Sequence, residues 1–352
     1  MQVVLNGYNE GNRFVLIKQE ILNNRCLHFA SNENRYYLSQ SDFVDELQVN
    51  DLIYINSYGK IKKVYESATR SIDLMMTIHC NSNCVMCPIS EGARQSNEDG
   101  YYEYLIALID ALPEEIEHIC ITGGEPTLIG NKLFEIIKKL TKKFPNAEYQ
   151  MLTNGRSCAN YDLCKKLASL LPPRTLFGIP LHAGSAILYD SIAQVNQGFE
   201  QAVQGVKNLV REGALVEIRV VVSKMNASKM NELAEFILHN FKGIYCVTFM
   251  GIETMGNAVK NLNDVWIDYE DATHSIENSI DLLVRNGVDV MLYNFPLCCI
   301  EKKYWMLARR SITPYKVRYY KECDTCKVKE GCCGFFNSTF KVVEKKVKPV
   351  MI

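Results

Sequence analysis

Apolar and polar positions change period once along the chain. Up to residue 70, short alternating runs at 13–17, 35–38, 52–55 and 61–65 are separated by Asn, Gly, Ser and Asp. That pattern predicts a small β-rich N-terminal domain over 1–70. From residue 71, apolar runs alternate with segments of helical period. Strands are predicted at 71–79, 117–121, 148–153, 175–181, 215–222 and 244–250, with helices near 100–112, 131–143, 160–170, 198–212, 228–240 and 265–286. Six such units predict an α/β fold, a partial (β/α)6 TIM-like barrel over 71–290, with its active site at the carboxyl ends of the strands. A further strand at 289–293 leads into an extension over 291–340, and 341–352 form a tail whose lysine-rich run 341–348 is expected to be solvated or frayed.

Parity sharpens the barrel. In 215–222 one face is Val216, Ile218, Val220 and Val222, suited to burial under helices, and the other carries Glu217 and Arg219. In 71–79 the apolar face is Ile72, Leu74, Met76 and Ile78, opposite Asp73, Thr77 and His79; His118, Cys120 and Thr122 share one face of the next strand. A barrel filled only by side chains is apolar within. Polar residues of one parity in several strands therefore predict a lumen that holds a polar ligand. The alternative is a buried Glu217–Arg219 ion pair with no ligand.

Length and charge narrow the classes. The chain has 352 residues and a net charge of −1 at pH 7, which suits a barrel with appendages and gives no general attraction to nucleic acid or a membrane surface. Residues 1–7 have neither a basic region nor a long apolar run, and no stretch approaches transmembrane length. Fourteen cysteines in an unexported chain argue for metal over a disulfide framework. A cytoplasmic, oxygen-sensitive protein is expected.

The chemistry centres on Cys80-Asn81-Ser82-Asn83-Cys84-Val85-Met86-Cys87-Pro88. Three thiolates at this spacing can hold three irons of a four-iron cube and leave the fourth iron open. A zinc site completed by His79 is the competing reading, and it asks two adjacent residues to reach one tetrahedral ion. A second motif, Thr122-Gly123-Gly124-Glu125-Pro126-Thr127, ends a predicted strand. Its glycines permit close approach of backbone, and its carboxylate can accept from an ammonium group. Together the two motifs resemble the radical S-adenosylmethionine (SAM) superfamily. The resemblance implies a 4Fe–4S cluster on Cys80, Cys84 and Cys87 whose open iron is chelated by SAM, and a turn of Gly123, Gly124, Glu125 and Pro126 that receives the SAM amino group. Asn154, after the third strand, and Gly251, after the sixth, are candidates for contact with SAM ribose or carboxylate and adenine. Arg219 is a candidate carboxylate clamp.

Cys298 and Cys299, Cys323-Asp324-Thr325-Cys326 and Cys332-Cys333 can supply four further thiolates, one from each doublet, to a 4Fe–4S cluster or to zinc. The segments Tyr293-Asn294-Phe295-Pro296-Leu297-Cys298, Leu307-Ala308-Arg309-Arg310 and Glu322-Cys323-Asp324-Thr325-Cys326-Lys327-Val328 resemble the C-terminal signature of the His-Xaa-Ser system radical SAM maturases, in the HxsC-like branch. So do Ile179-Pro180-Leu181 and Glu217-Ile218-Arg219-Val220-Val221. That resemblance implies an auxiliary 4Fe–4S cluster of the SPASM or twitch kind on Cys298, Cys323, Cys326 and Cys332. Cys299 and Cys333 depart from the family pattern. It also implies a ribosomally made precursor peptide as substrate, a partner radical SAM maturase in some settings and an external electron donor. The expected function is a radical SAM peptide maturase that oxidatively modifies or cross-links its peptide. A radical SAM enzyme acting on a nucleotide or other small molecule is the alternative, and a non-catalytic zinc scaffold the outsider. Cys26, Cys158, Cys164 and Cys246 read as small core residues. Cys120 lies on the polar parity, and His182 stands at a strand end where a pocket histidine and an ordinary loop histidine both fit.

Overall fold

The computed structural model describes residues 11–22, 25–30, 36–37, 47–342 and 347–351. Residues 1–7 and the side chains of Cys26 and His28 lie outside the described residues. Eight strands form one parallel sheet: β6 (Ser71–Met75), β7 (His118–Thr122), β8 (Glu148–Leu152), β9 (Leu176–Pro180), β10 (Leu215–Val221), β11 (Cys246–Met250), β12 (Asp289–Tyr293) and β13 (Ala308–Arg309). They lie in chain order across the sheet. All six predicted barrel strands are present, and β12 and β13 extend the sheet beyond β11, so the C-terminal segment grows out of the barrel. The result is a partial TIM-like barrel.

The outward parity explains the helices. Ile72, Leu74, Ile119, Ile121, Met151, Phe177, Ile179, Ile218, Val220, Val247 and Phe249 are buried beneath Leu105, Ile109, Ile136, Ile137, Leu140, Leu209, Leu233, Ile237, Ile276 and Leu283 in one contiguous core. Burial of such side chains stabilises by about 1.5–3 kcal/mol each. The first strand is shorter than the expected 71–79. Beyond Met75 the chain leaves regular pairing yet stays tied to β7, through Met76 N–H to Thr122 O (2.7 Å), Gly124 N–H to Thr77 O (2.7 Å) and Glu125 N–H to His79 O (2.8 Å). The helix Ala186–Ala193, after β9, was not expected, nor were the short helices Asn257–Lys260, Leu262–Val265 and Asn337–Val342.

The N-terminal segment forms an antiparallel sheet in the order β3-β2-β1-β4-β5, from β1 (Arg13–Leu22), β2 (Arg25–Ala30), β3 (Tyr36–Tyr37), β4 (Leu52–Ile55) and β5 (Ile61–Tyr65). It is joined to the barrel by the rings of Phe14, Tyr54 and Tyr104, whose centroids lie 5.0–5.3 Å apart. Leu52 and Tyr65 belong to the barrel core. Fully buried Asp51 accepts from Ser67 N–H (2.8 Å), Ser67 Oγ (2.9 Å) and Gln48 N–H (3.0 Å), which fixes the turn that enters β6. In the extension, β14 (Val317–Arg318) pairs antiparallel with β15 (Phe335–Phe336). The tail departs from expectation: Val347 packs against the core, and Lys327 N–H donates to Val350 O at 2.9 Å. Residues 343–346 and 352 lie outside the described residues. Among the described residues, no helix is long and apolar enough to cross a membrane.

Candidate active site

Cys80, Cys84 and Cys87 lie in the loop that leaves β6 at the carboxyl end of the sheet. The loop is held from several sides. Before it, Glu98 accepts from Thr77 Oγ1 (2.5 Å) and Ile78 N–H (2.6 Å). Within it, Asn83 N–H and Val85 N–H donate to Ala193 O and Ile192 O at 3.0 and 2.9 Å. Arg94 donates to Ser82 O at 2.8 Å and to Asn83 Oδ1. Arg156 donates to Asn81 O (2.7 Å) and Ser82 Oγ (3.0 Å). Asn257 closes the far side, donating to Asn83 Oδ1 (2.9 Å) and Cys84 O (3.1 Å), while its own N–H donates to Cys87 O (2.9 Å). A Cβ on Gly256 would lie 2.4 Å from Pro88 O, so only glycine lets this segment pack there.

The donor set fits a metal cluster. Burial pushes the Cys84 thiol up to about 12 and raises Cys80 as well, so thiolates here need a bound cation. A single tetrahedral ion with arms of about 2.3 Å would draw its sulfurs to about 3.8 Å apart. Among the described residues, the group of three His, Cys, Asp or Glu donors found within 4.8 Å of one another is His274, Glu277 and Glu301, which includes no sulfur. His79, weighed as a zinc ligand, instead places Nε2 at 3.1 Å from Ser96 O and 3.5 Å from Glu98.

The glycine-rich turn lies directly beside this loop. A Cβ on Gly123 would meet Thr77 O at 2.3 Å, and one on Gly124 would meet His79 O at 2.2 Å. Both glycines are therefore required by close approach to the residues leading into Cys80. Glu125 is held by its neighbours in the fold. Its carboxylate is fully buried and accepts from Thr127 N–H (3.1 Å), Thr127 Oγ1 (2.7 Å), Thr153 Oγ1 (2.7 Å) and Asn154 N–H (2.7 Å). Through these protein donors the carboxylate ties the end of β7 to the end of β8. Buried Pro126 opens the short helical turn that follows. Asn154 does reach the cluster loop, donating to Asn81 Oδ1 at 2.6 Å.

Arg219 and Glu217 lie on the lumen parity. A Cβ on Gly178 would lie 2.9 Å from Arg219 Cδ and 3.3 Å from Glu217 Oε2. The pair is an ion pair at 3.7 Å; Glu217 Oε1 accepts from Thr248 (2.5 Å), and Oε2 is buried with no hydrogen-bond partner. Arg219 also reaches Met250 Sδ at 3.5 Å and lies 5.9 Å from the Tyr293 ring centre. Asp73 and Cys120 hydrogen-bond in the same lumen, and burial raises both, the thiol to about 12. Gly251 has a packing reason of its own, since a Cβ there would meet Asn294 O at 2.6 Å. Cys158, Cys164 and Cys246 are buried in the core. Buried His182 accepts at Nδ1 from Val221 N–H (3.3 Å).

The C-terminal cysteines converge separately. Cys298, Cys323, Cys326 and Cys332 line one cavity with Tyr319 and Phe335, whereas Cys299 and Cys333 lie outside its lining. The Cys333 thiol donating to Cys332, helped by the N–H groups of Gly334 and Leu297, holds the Cys332 thiol down to about 6 against burial. Four soft donors around one cavity fit an iron–sulfur cluster. Sequence spacing found these cysteines, but it missed Glu98, Arg94, Arg156 and Asn257. Of these, Arg156 carried a signal, its place three residues after a predicted strand end.

The model of the Radical SAM superfamily matches residues 74–237. A GTP 3',8-cyclase of Helicobacter pylori is 28% identical over 211 residues, 56% of this chain and 62% of that protein. A probable GTP 3',8-cyclase of Saccharolobus islandicus is 28% identical over 167 residues, 46% of this chain and 52% of that protein. The chain spans about half the length of the curated relatives it matches. Streptococcus suis SuiB bound to S-adenosylmethionine superposes with a TM-score of 0.49 at 14% identity, over 63% of this chain and 50% of that one. The three-cysteine loop and the adjoining Gly-Gly-Glu-Pro turn both lie within the segment that the Radical SAM superfamily model matches, 74–237.

Proposed function

We propose that the protein is a radical SAM peptide maturase that oxidatively modifies or cross-links a ribosomally synthesised peptide. Cys80, Cys84 and Cys87 would hold the SAM-binding 4Fe–4S cluster, and Cys298, Cys323, Cys326 and Cys332 an auxiliary 4Fe–4S cluster. With a cluster bound at the first site and reduced by an external donor, Cys80, Cys84 and Cys87 would hold the group that supplies the electron for cleaving SAM to a 5'-deoxyadenosyl radical. The chain's own work is positional. Glu98, Arg94, Arg156 and Asn257 hold the cysteine loop, and Glu125 locks the rim beside it. Arg219 offers a guanidinium to a ligand carboxylate, with Asn154 and the Gly251 turn at the same end of the sheet.

The observation that carries the peptide reading is the antiparallel sheet joined to the barrel, with β5 as its terminal strand. A terminal strand can be extended by an incoming peptide strand through main-chain hydrogen bonds, away from the radical site. Such docking offsets the entropy of ordering a flexible substrate. The test incubates enzyme, SAM, reductant and the peptides encoded beside the gene, with any partner maturase, and looks by mass spectrometry for loss of two hydrogens. The curated relatives are GTP 3',8-cyclases, which favours a second reading, a nucleotide or other small-molecule substrate. Turnover of GTP with every neighbouring peptide unchanged would select it.

A further inference from the structure

We propose that residues 347–350 form a strap that closes the second cysteine site and completes its environment. Val347, Lys348 and Pro349 line the same cavity as Cys298, Cys323, Cys326 and Cys332. The strap is anchored at both ends. Val347 packs against the main core, and Val350 O accepts from the N–H of Lys327, the residue after Cys326. The proposal rests on the reading that these four cysteines hold an auxiliary cluster.

Each strap residue has a physical task. Val347 and Pro349 present apolar surface, and proline adds no N–H, so this side of the cavity excludes water. Lys348 brings a cation to a site whose ligands are all anionic. The other lysine on the cavity, Lys329, is engaged by Asp324 at 2.8 Å. Lower solvent exposure and a nearby positive charge are two of the factors that set the potential of a cluster. Four protein thiolates with a covering strap leave a substrate no approach from this side. The strap thus deepens the maturase reading: the auxiliary site relays electrons and does not bind the peptide.

The test uses the full chain carrying Cys80→Ala, Cys84→Ala and Cys87→Ala, so that iron reports the second site alone. This parent is compared with a truncation after residue 346, with Val347→Asp and with Lys348→Glu. Iron and sulfide content, the rate of iron loss to a chelator and the reduction midpoint are measured. The parent should hold about four irons. The truncation and Val347→Asp should lose iron about tenfold faster, and Lys348→Glu should keep its iron with a lower midpoint. A truncated chain that melts like the parent yet fails to assemble the cluster also supports the strap. Unchanged iron loss in the truncation and an unmoved midpoint in Lys348→Glu would overturn it while leaving the auxiliary cluster standing. A folded parent that binds no iron would overturn the auxiliary-cluster reading and the strap with it.

Discussion

Asn257 Nδ2 donates to Asn83 Oδ1 at 2.9 Å, so a residue beyond β11 grips the loop between Cys80 and Cys84. Asn257 is buried, serves Cys84 O through the same amide nitrogen, and accepts at Oδ1 from Glu91 N–H at 3.0 Å. Asn257→Ala strands buried backbone groups of the loop, at about 1–3 kcal/mol for a group left unsatisfied. The variant should melt earlier and lose iron from the first site faster than from the second. Equal iron retention at both sites would show that the loop does not depend on this clamp.

The cysteine loop itself gives the most direct test. Replacing Cys80, Cys84 and Cys87 by Ala together should abolish formation of 5'-deoxyadenosine from SAM and leave roughly half of the iron, that of a second four-iron cluster. Continued cleavage of SAM by this variant would remove the radical SAM assignment of the loop.

Glu125 should prove structural as much as functional. Glu125→Ala leaves the donors of Thr127, Thr153 and Asn154 facing a void, and loss of about 3–5 kcal/mol is expected for a buried charged acceptor. Denaturant unfolding of the metal-free chain measures it. A loss below about 1 kcal/mol would mean that these donors find other partners.

What could be read in the chain followed local physics. Alternation of Val216, Ile218, Val220 and Val222 against Glu217 and Arg219 is a local property, and β10 follows it. The helix Ala186–Ala193 escaped because Ala186, Ile187, Leu188, Ile192 and Ala193 present no polar stripe, and Ser185 makes no side-chain cap. The clamps on the cysteine loop escaped for another reason. Asn257 and Asn83 are separated by 174 positions, and no period in the sequence links them. The Glu125 partners Thr153 and Asn154 were out of reach for the same reason, since they arrive from the next strand. The tail looked solvated from its lysines, yet Val347 packs against the core and Val350 O accepts from Lys327 N–H.

Arg219 separates ligand binding from ion pairing. Arg219→Lys keeps the charge beside Glu217 and loses the planar fork. If the guanidinium clamps the SAM carboxylate, SAM affinity should fall by about 1–3 kcal/mol, the value of a charged hydrogen bond, with stability little changed. Equilibrium binding of SAM and denaturant unfolding are measured on the same samples. Unchanged binding with lowered stability would leave Arg219 as the counter-ion of Glu217 alone.

His182 predicts a pH dependence whose sign is set by burial. Burial pushes its imidazole down from the ordinary 6.5 to about 4, because the charged form is poorly solvated where the ring accepts from Val221 N–H. Between those values the unfolded chain binds the proton and the folded chain does not. The contribution of neutral His182 is therefore complete above pH 6.5 and is lost progressively as pH falls toward 4, at about 1.4 kcal/mol per unit. His182→Gln has no such proton to bind. The stability gap between wild type and His182→Gln, measured by denaturant on metal-free protein, should be widest near neutrality and narrow by about 2 kcal/mol by pH 5. A gap that stays constant with pH would mean that the ring takes up its proton within the fold as readily as in the unfolded chain.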